Sequence, residues 1–424
     1  MTKQKPVSRY QALVDCTKFK AHPLTPFYRI YQWGLRIAMC FVKWPYPKVL
    51  KGDGCLLHLP KLLKENNLHK ALLVSDKNIR KLGLLDGLCS ELKAQNLDYI
   101  IFDDTVANPT IPVIEQAYQN YLHHRCDHVI AIGGGSVIDC AKVVCAKVAK
   151  PEMTIQQMRG LRKIHRKLPP LYAIPTTSGS GSESSLAAVV VDPDTKDKYA
   201  INDPCLFPVL AVLDPQLCAG LPANLTAWTG MDALTHAIEA YLGHSNTKNS
   251  RRQAKKAVRL IFENLRQAYE HSQDLDARMN MQEAALAAGA AFTRAFVGNI
   301  HAIAHTLGGF YNTPHGLANA VILPYVLDSY GPRIYKRLAE LAKASGLQGN
   351  SNSELAQSFL LAIRQLNEDM KIPRKLEGIK SEDLPSMCQH ALKEANPTYP
   401  VPLIYTKADF VMIYEAIRTG GTKS

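Results

Sequence analysis

The sequence has no CxxC pair, no short-spaced cysteine framework, no low-complexity linker and no internal repeat. Its ten cysteines (16, 40, 55, 89, 126, 140, 145, 205, 218 and 388) are scattered, which excludes a disulfide-stapled secreted scaffold and leaves reduced thiols in a cytoplasmic setting as the expectation. Acidic residues are nearly missing from the first 51 positions, where ten Lys/Arg face the single acid Asp15. The remainder is close to balanced although the whole chain carries +13. A basic excess confined to a leader, with no recognisable binding module, argues against nucleic acid as a partner. What is there in quantity is apolar surface: 46% of 424 residues, enough for two packed domains.

Within the leader, FYRIYQWGLRIAMCFVKW (27–44) is apolar and aromatic, with Arg29, Arg36 and Lys43 seven residues apart. That spacing puts the three cations on one side of a helix and the bulky residues around the rest. A membrane-spanning helix needs about 20 apolar residues without internal charge, which this stretch lacks. No small-residue cleavage site follows before PYPK, so it is not a secretory signal either. Two readings remain. One is a peripheral helix on an anionic membrane, anchored by Trp33 and Trp44; the other, preferred, is a helix packed on the protein body or on a dimer partner.

After PYPK, strands and helices alternate. KALLVSD (70–76) reads as a buried parallel strand with a helix-like stretch to 92, DYIIFDD (98–104) as the next strand, and NPTIPVIEQAYQNYLHHR (108–125) as a helix opened by Asn-Pro. HVIAIGGGSVIDCAKVVCAKVA (128–149) reads as strand, Gly-rich turn and helix, and LYAIPTT (171–177) as another strand. Such alternation implies a parallel sheet with helices on its faces.

Two polar turns end these strands, at the edge where open parallel sheets bind ligands. In IGGGS, Gly133, Gly134 and Gly135 let the backbone approach a ligand, and Ser136 opens a helix whose free N–H groups favour phosphate. The turn is not a GxGxxG fingerprint, and a purely structural turn is the competing reading. In PTTSGSGSES, the hydroxyls of Thr176, Thr177, Ser178, Ser180 and Ser182 crowd one loop. Asp76, ending its strand, suits a ribose diol and so NAD rather than NADP, unless it only caps a helix.

Beyond Leu221 the strand patterns stop. Segments 224–242, 250–271, 276–295, 300–307, 317–329, 333–345, 353–370 and 380–394 read as helices, and the tract EAALAAGAA (283–291) points to close helix packing. The expected division is a leader (1–44), an α/β Rossmann-like dinucleotide-binding domain (45–221) and an all-α metal-binding, catalytic domain (222–424), with a cleft between the last two.

The chemistry gathers in HAIAHTLGGFYNTPH (301–315), which carries three of the fourteen histidines. His301 and His305 are one helical turn apart, and the Gly/Pro segment after them lets His315 fold back toward the same point. Apolar flanks make satisfied core histidines the competing reading. A second cluster upstream, Asp232 and His236 in TGMDALTHAIEAY, again at i, i+4, raises the metal reading. A carboxylate with imidazoles suits Zn or Fe(II) better than Mg or Ca.

In order and at matching spacing, IGGGSVIDCAK, AIPTTSGSGSE, LDPQL, LPANLTAWTGMDALTHAIEAY, HAIAHTLGGFYNTPHG and NAVILPYV resemble the iron-containing (group III) alcohol dehydrogenases. The resemblance runs from about Pro45 nearly to the C-terminus and is strongest to the lactaldehyde:propanediol oxidoreductase-like short-chain alcohol and diol dehydrogenases. It implies metal ligation by Asp232, His236, His301 and His315, with His305 a non-ligand acid/base group near the nicotinamide. It also implies cofactor contacts from Asp76, Asn108, Gly134, Gly135, Ser136, Asp139, Thr176, Thr177, Ser180 and Lys198. The cofactors so implied are NAD and Fe(II), with Zn accepted by the same donors, and the assembly a homodimer. Two features depart from the pattern: Ser180 stands where many members have Thr, and the first 45 or so residues have no counterpart in compact members.

The implied reaction is hydride transfer between nicotinamide C4 and a short-chain alcohol or diol. A divalent Lewis acid lowers the hydroxyl pKa, and His305 passes the proton on through the ribose hydroxyls. A cyclising lyase of the dehydroquinate synthase type shares this fold, but it must grip a phosphorylated, carboxylated substrate with several cations. Here the surroundings of 301–315 are aromatic (Phe292, Phe296, Phe310, Tyr311) with Arg294 the one nearby cation. A membrane-recruited scaffold without catalysis is opposed by retention of all four ligand-type residues.

Overall fold

The computed structural model describes residues 10–195 and 197–421. Its strands are β1 (Lys48–Lys51), β2 (Lys70–Val74), β3 (Asp98–Phe102), β4 (His128–Gly133), β5 (Gly160–Leu161), β6 (Leu171–Pro175), β7 (Ala187–Asp192), β8 (Asp197–Asn202) and β9 (Leu210–Leu213). Six of them form one sheet in the order β1-β9-β6-β4-β2-β3, every pairing parallel. A β7–β8 hairpin with β5 alongside makes a small second sheet.

The central strands read as continuous apolar runs because both faces are covered. Leu72, Val74, Val129 and Ala131 point to one face, under the helices Ile111–His123 and Gly135–Ala149. Ala71, Leu73, Ile130 and Ile132 point to the other, under Leu59–Glu65 and Asp86–Ala94. Each fully buried Leu, Ile or Val there contributes roughly 1.5–3 kcal/mol. The expected strands at 70–76, 98–104, 128–133 and 171–177 are present. Patterning does not anticipate β1, the β7–β8 hairpin or β9: β1 and β9 are four residues each, too short for a periodic signal, and the hairpin carries polar residues throughout its turn.

Beyond Leu213 the described residues contain helices and no strand. The expected helix 300–307 is longer, Asn299–Tyr311, and takes in Gly308 and Gly309. The chain therefore reverses later than the glycines suggest, at Asn312 (φ 53°) through Pro314, so that His315 opens the next helix, His315–Tyr330. A helix not anticipated, Lys407–Thr419, completes the bundle.

The Ala-rich tract does what its composition implies. On helix Leu275–Ala295, a Cβ at Gly289 would stand 2.3 Å from Ser184 Oγ and 2.4 Å from the Gly181 carbonyl. This bundle helix thus lies directly on the Ser/Thr-rich loop that follows β6, and Gln282 on the same helix donates to the carbonyls of Pro175 and Asp214. These contacts fix the loop relative to the helices.

Among its described residues the leader forms a 3-10 turn, Cys16–Lys18, a helix, Thr25–Ala38, and a second 3-10 turn, Met39–Phe41. Lys43 lies past all three and does not share a helical face with Arg29 and Arg36, because the helix ends sooner than the seven-residue spacing requires. The helix does pack on the body, but with its polar side inward. Arg29 donates to the Val401 carbonyl and Arg36 to that of His244, while Phe27, Ile30 and Trp33 are 69%, 67% and 65% exposed.

Candidate active site

A cleft of about 1960 Å³ runs between the carboxyl edge of the large sheet and the helical bundle. All ten residues expected at the cofactor and all five expected at the metal and the proton relay line it. At the sheet end, Gly134 caps the helix Gly135–Ala149, and a Cβ at Gly135 would come within 2.6 Å of Ser180 Oγ, so the two polar turns touch. Asp76 serves as an N-cap, accepting from the N–H groups of Asn78 and Ile79 through Oδ1. Ser136 Oγ accepts from the Asn108 N–H, and Lys198 Nζ donates to Asn108 Oδ1 at 2.8 Å. Lys198 reaches toward the other half as well: a Cβ on Gly308 would lie 3.8 Å from its Nζ. Asp139 is turned inward, accepting from Ser182 Oγ at 2.6 Å and from the Val189 N–H at 3.0 Å, and burial raises its pKa. It holds the loop through these two bonds while it lines the cleft.

One residue in this half escaped sequence reading. Lys142 is fully buried and donates to the carbonyls of Ser185 and Ala187 and to Ser185 Oγ. Burial pulls its pKa down to about 8. It staples the end of the hydroxyl-rich loop to the helix that follows the glycine turn.

At the bundle end, helix Ala223–Leu242 presents Asp232, His236 and Glu239 on one face. Asp232 Oδ1 lies 3.8 Å from His236 Nδ1, 3.8 Å from His301 Nε2 and 3.6 Å from His315 Nε2. Donor atoms of Asp232, His236 and His301 all fall within 4.8 Å of one another. His305, one turn after His301, instead pairs with Glu394 at 2.6 Å and stacks on His315 with ring centroids 5.2 Å apart.

The donors fit a divalent ion, and the reason lies in atoms that the protein leaves unmatched. His236 Nδ1, the ring nitrogen that faces Asp232, is buried without a hydrogen-bond partner. The Asn319 amide nitrogen, a donor, sits among the acceptors: 2.7 Å from Asp232 Oδ1 and 3.2 Å from the Nε2 atoms of both His301 and His315. It stands near the point toward which the lone pairs converge, where a cation would satisfy them better.

Protonation supports the same chemistry. Burial pushes His301 down to about 3 and His236 down to about 4, and holds His315 well below the usual range, so these imidazoles are neutral. Glu239 fixes which nitrogen of His301 points inward. It accepts from the Gly298 and Ile300 N–H groups at 2.8 Å and lies 2.6 Å from His301 Nδ1, leaving Nε2 for the site. Burial raises Glu239 to about 7. Phe292 stacks on His236 at 4.4 Å and makes that wall apolar.

Sequence reading missed Glu239, Asn319 and Glu394. Glu239 carried a signal, since 232, 236 and 239 share a helical face. Glu394 carried none, because its proximity to His305 arises only from the packing of helix Leu384–Ala395.

A parallel-sheet edge with phosphate-type turns, facing neutral imidazoles and a carboxylate across an apolar cleft, defines a metal- and nucleotide-dependent dehydrogenase. Comparison with known proteins agrees. Residues 46–215 match the iron-containing alcohol dehydrogenase model, and residues 226–418 match the C-terminal model of the Fe-containing alcohol dehydrogenase family. The chain is 38% identical to the 1,3-propanediol dehydrogenase of Klebsiella pneumoniae, over 77% of this chain and 86% of that protein. It is 33% identical to the lactaldehyde reductase of Escherichia coli (strain K12), over 86% and 96% of the two chains. The solved alcohol dehydrogenase of Oenococcus oeni superposes with a TM-score of 0.85 at 33% identity, covering 88% of this chain and 99% of that one. The chain belongs to the iron-containing alcohol dehydrogenase family and is an alcohol dehydrogenase/aldehyde reductase.

Proposed function

We propose that the protein interconverts a short-chain alcohol or diol and its aldehyde with NAD(H), using Fe(II), or Zn, held by Asp232, His236, His301 and His315. The observation that carries this reading is the set of three ring nitrogens 3.6–3.8 Å from one oxygen of Asp232. Bound there, the ion acts as a Lewis acid that lowers the pKa of a substrate hydroxyl. Asp76, Asn108, Gly134, Gly135, Ser136, Asp139, Thr176, Thr177, Ser180 and Lys198 would hold NAD in the other half of the cleft, where it would supply a hydride acceptor. Asp76, with one carboxylate oxygen beyond its capping role, favours NAD over NADP.

The chain's own groups orient and move the proton. Glu394 holds His305 Nδ1, which leaves Nε2 as the nitrogen that exchanges a proton with the cleft. Phe292, Phe296 and Phe310 give the cleft an apolar lining that favours a small, weakly charged substrate. The working division is a domain of 45–221 and a domain of 222–424 with the reaction between them.

Exposed surfaces support the proposed assembly and location. The edge strand β1 is solvent-facing, with Val49 43% exposed, and its unpaired backbone groups suit pairing in a homodimer. The outward Phe27, Ile30 and Trp33 suit peripheral contact of 27–44 with an anionic membrane. No described helix is long and apolar enough to cross a membrane, and all ten cysteines are free; the location proposed is cytoplasmic.

The test is nicotinamide absorbance with protein loaded anaerobically with Fe(II) or Zn, against NAD or NADP and a panel of short alcohols and diols. Metal-dependent formation of NADH is the expected result. Silence across the panel with metal bound overturns the reading.

A further inference from the structure

The leader lies outside the family models, which begin at residue 46, yet one of its residues lines the cleft. Met39, 7% exposed in the turn Met39–Phe41, lines this cleft. Its position is latched at three points. Trp44 Nε1 donates to the Met39 carbonyl at 3.4 Å, the Arg294 guanidinium lies 5.1 Å over the Trp44 ring, and Arg294 Nη2 donates to Cys40 Sγ at 3.6 Å. Arg294 follows Phe292 by two residues on the same helix, and Phe292 stacks on His236. The latch thus ties the turn that carries Met39 to the helix whose Phe292 packs on the metal-ligand cluster.

The helix before it is joined to the same region by a buried polar contact. Gln32, 4% exposed, donates to the carbonyls of Pro397 and Tyr399, both at 2.9 Å, and accepts from Arg29 at 2.8 Å. Tyr399 in turn donates its hydroxyl to Glu394 at 2.8 Å, and Glu394 holds His305. A buried amide with its bonds made specifies one arrangement of the groups around it.

From these contacts we infer that the leader is a wall of the substrate pocket: Met39 determines how long an alcohol chain the pocket admits, and Gln32 is a positioning residue that acts through Tyr399 and Glu394. Met39 is flexible and apolar, suited to contact with methylenes rather than hydroxyls. The inference rests on the proposed alcohol substrate class.

The experiment is steady-state kinetics of the full chain, metal-loaded, on a series of straight-chain primary alcohols with NAD, for wild type, Met39→Ala and Met39→Trp. Relative to wild type, kcat/KM for a long over a short member should rise in Met39→Ala and fall in Met39→Trp. The change should be about tenfold, the scale of one or two methylene contacts. An unchanged ratio in both variants, with metal bound, overturns it. If wild type itself turns over no alcohol, the functional reading fails instead, and the two failures are distinct.

For Gln32, a cycle with Gln32→Leu and Tyr399→Phe should lower kcat in each single variant with KM for NAD unmoved, and the double variant should lose less than the product of the two. Fully multiplicative losses overturn the positioning role, while the Met39 arm stands on its own.

Discussion

His301 and His305 lie one turn apart on one helix, and each has a ring nitrogen 2.6 Å from a glutamate, yet their surroundings differ. The His301–Glu239 pair is sealed in, its side chains 2% and 5% exposed, and Glu239 is locked by two backbone N–H groups. The His305–Glu394 pair is 19% and 26% exposed, and Glu394 takes its second bond from a tyrosine hydroxyl that the leader helps to hold. A buried, rigid pair suits an imidazole that must keep one lone pair aimed at one point. A partly open pair suits one that must trade a proton with its surroundings.

Breaking the two pairs should separate these roles, and the largest effect is expected at the sealed one. His301→Ala or Asp232→Ala should lose more metal affinity than the roughly 10–100-fold that outer partners carry, and turnover with it, as metal analysis after dialysis would reveal. His305→Ala should keep its metal and lose about 10²–10⁴ in kcat, read from initial rates at saturating alcohol. Glu239→Gln should weaken metal binding by roughly 10–100-fold, measured by competition with a chromogenic chelator.

The same glutamate sets a pH dependence. Burial holds Glu239 up at about 7, so below that pH it carries a proton in the metal-free site. A cation on His301 favours the carboxylate, so metal affinity should rise with pH up to about 7 and level off above it. The neutral, low-pKa histidines add no proton competition in that range, and Glu239→Gln should flatten the profile. The smallest effect belongs to the open pair: Glu394→Gln should lower kcat a few-fold with metal content and KM for NAD unchanged, since the amide still accepts from Tyr399 or His305 but lacks the charge.

Helical spacing makes Asp232 with His236, and His301 with His305, readable as pairs from the sequence alone, because i, i+4 neighbours share a face. It cannot separate His301 from His305. That distinction depends on Glu239 and Glu394, and only the first lies on a patterned helix near the cluster. The parallel sheet is legible where strands are buried on both faces, as in β4. It is not legible at β1 and β9, nor in the polar hairpin of β7 and β8. The leader is legible as a helix on the body, but its orientation is not: hydrophobic patterning puts apolar residues inward, whereas here Arg29, Gln32 and Arg36 find carbonyls on the body and the aromatic residues face out. Patterning cannot see such carbonyls, because backbone acceptors have no sequence signature.

The most direct test of the division between the two histidines is the metal-to-protein ratio of His301→Ala and His305→Ala, purified and loaded side by side under one protocol. The account predicts an empty His301→Ala and a fully loaded but slow His305→Ala. A loaded His301→Ala, or loss of metal from His305→Ala, would contradict it.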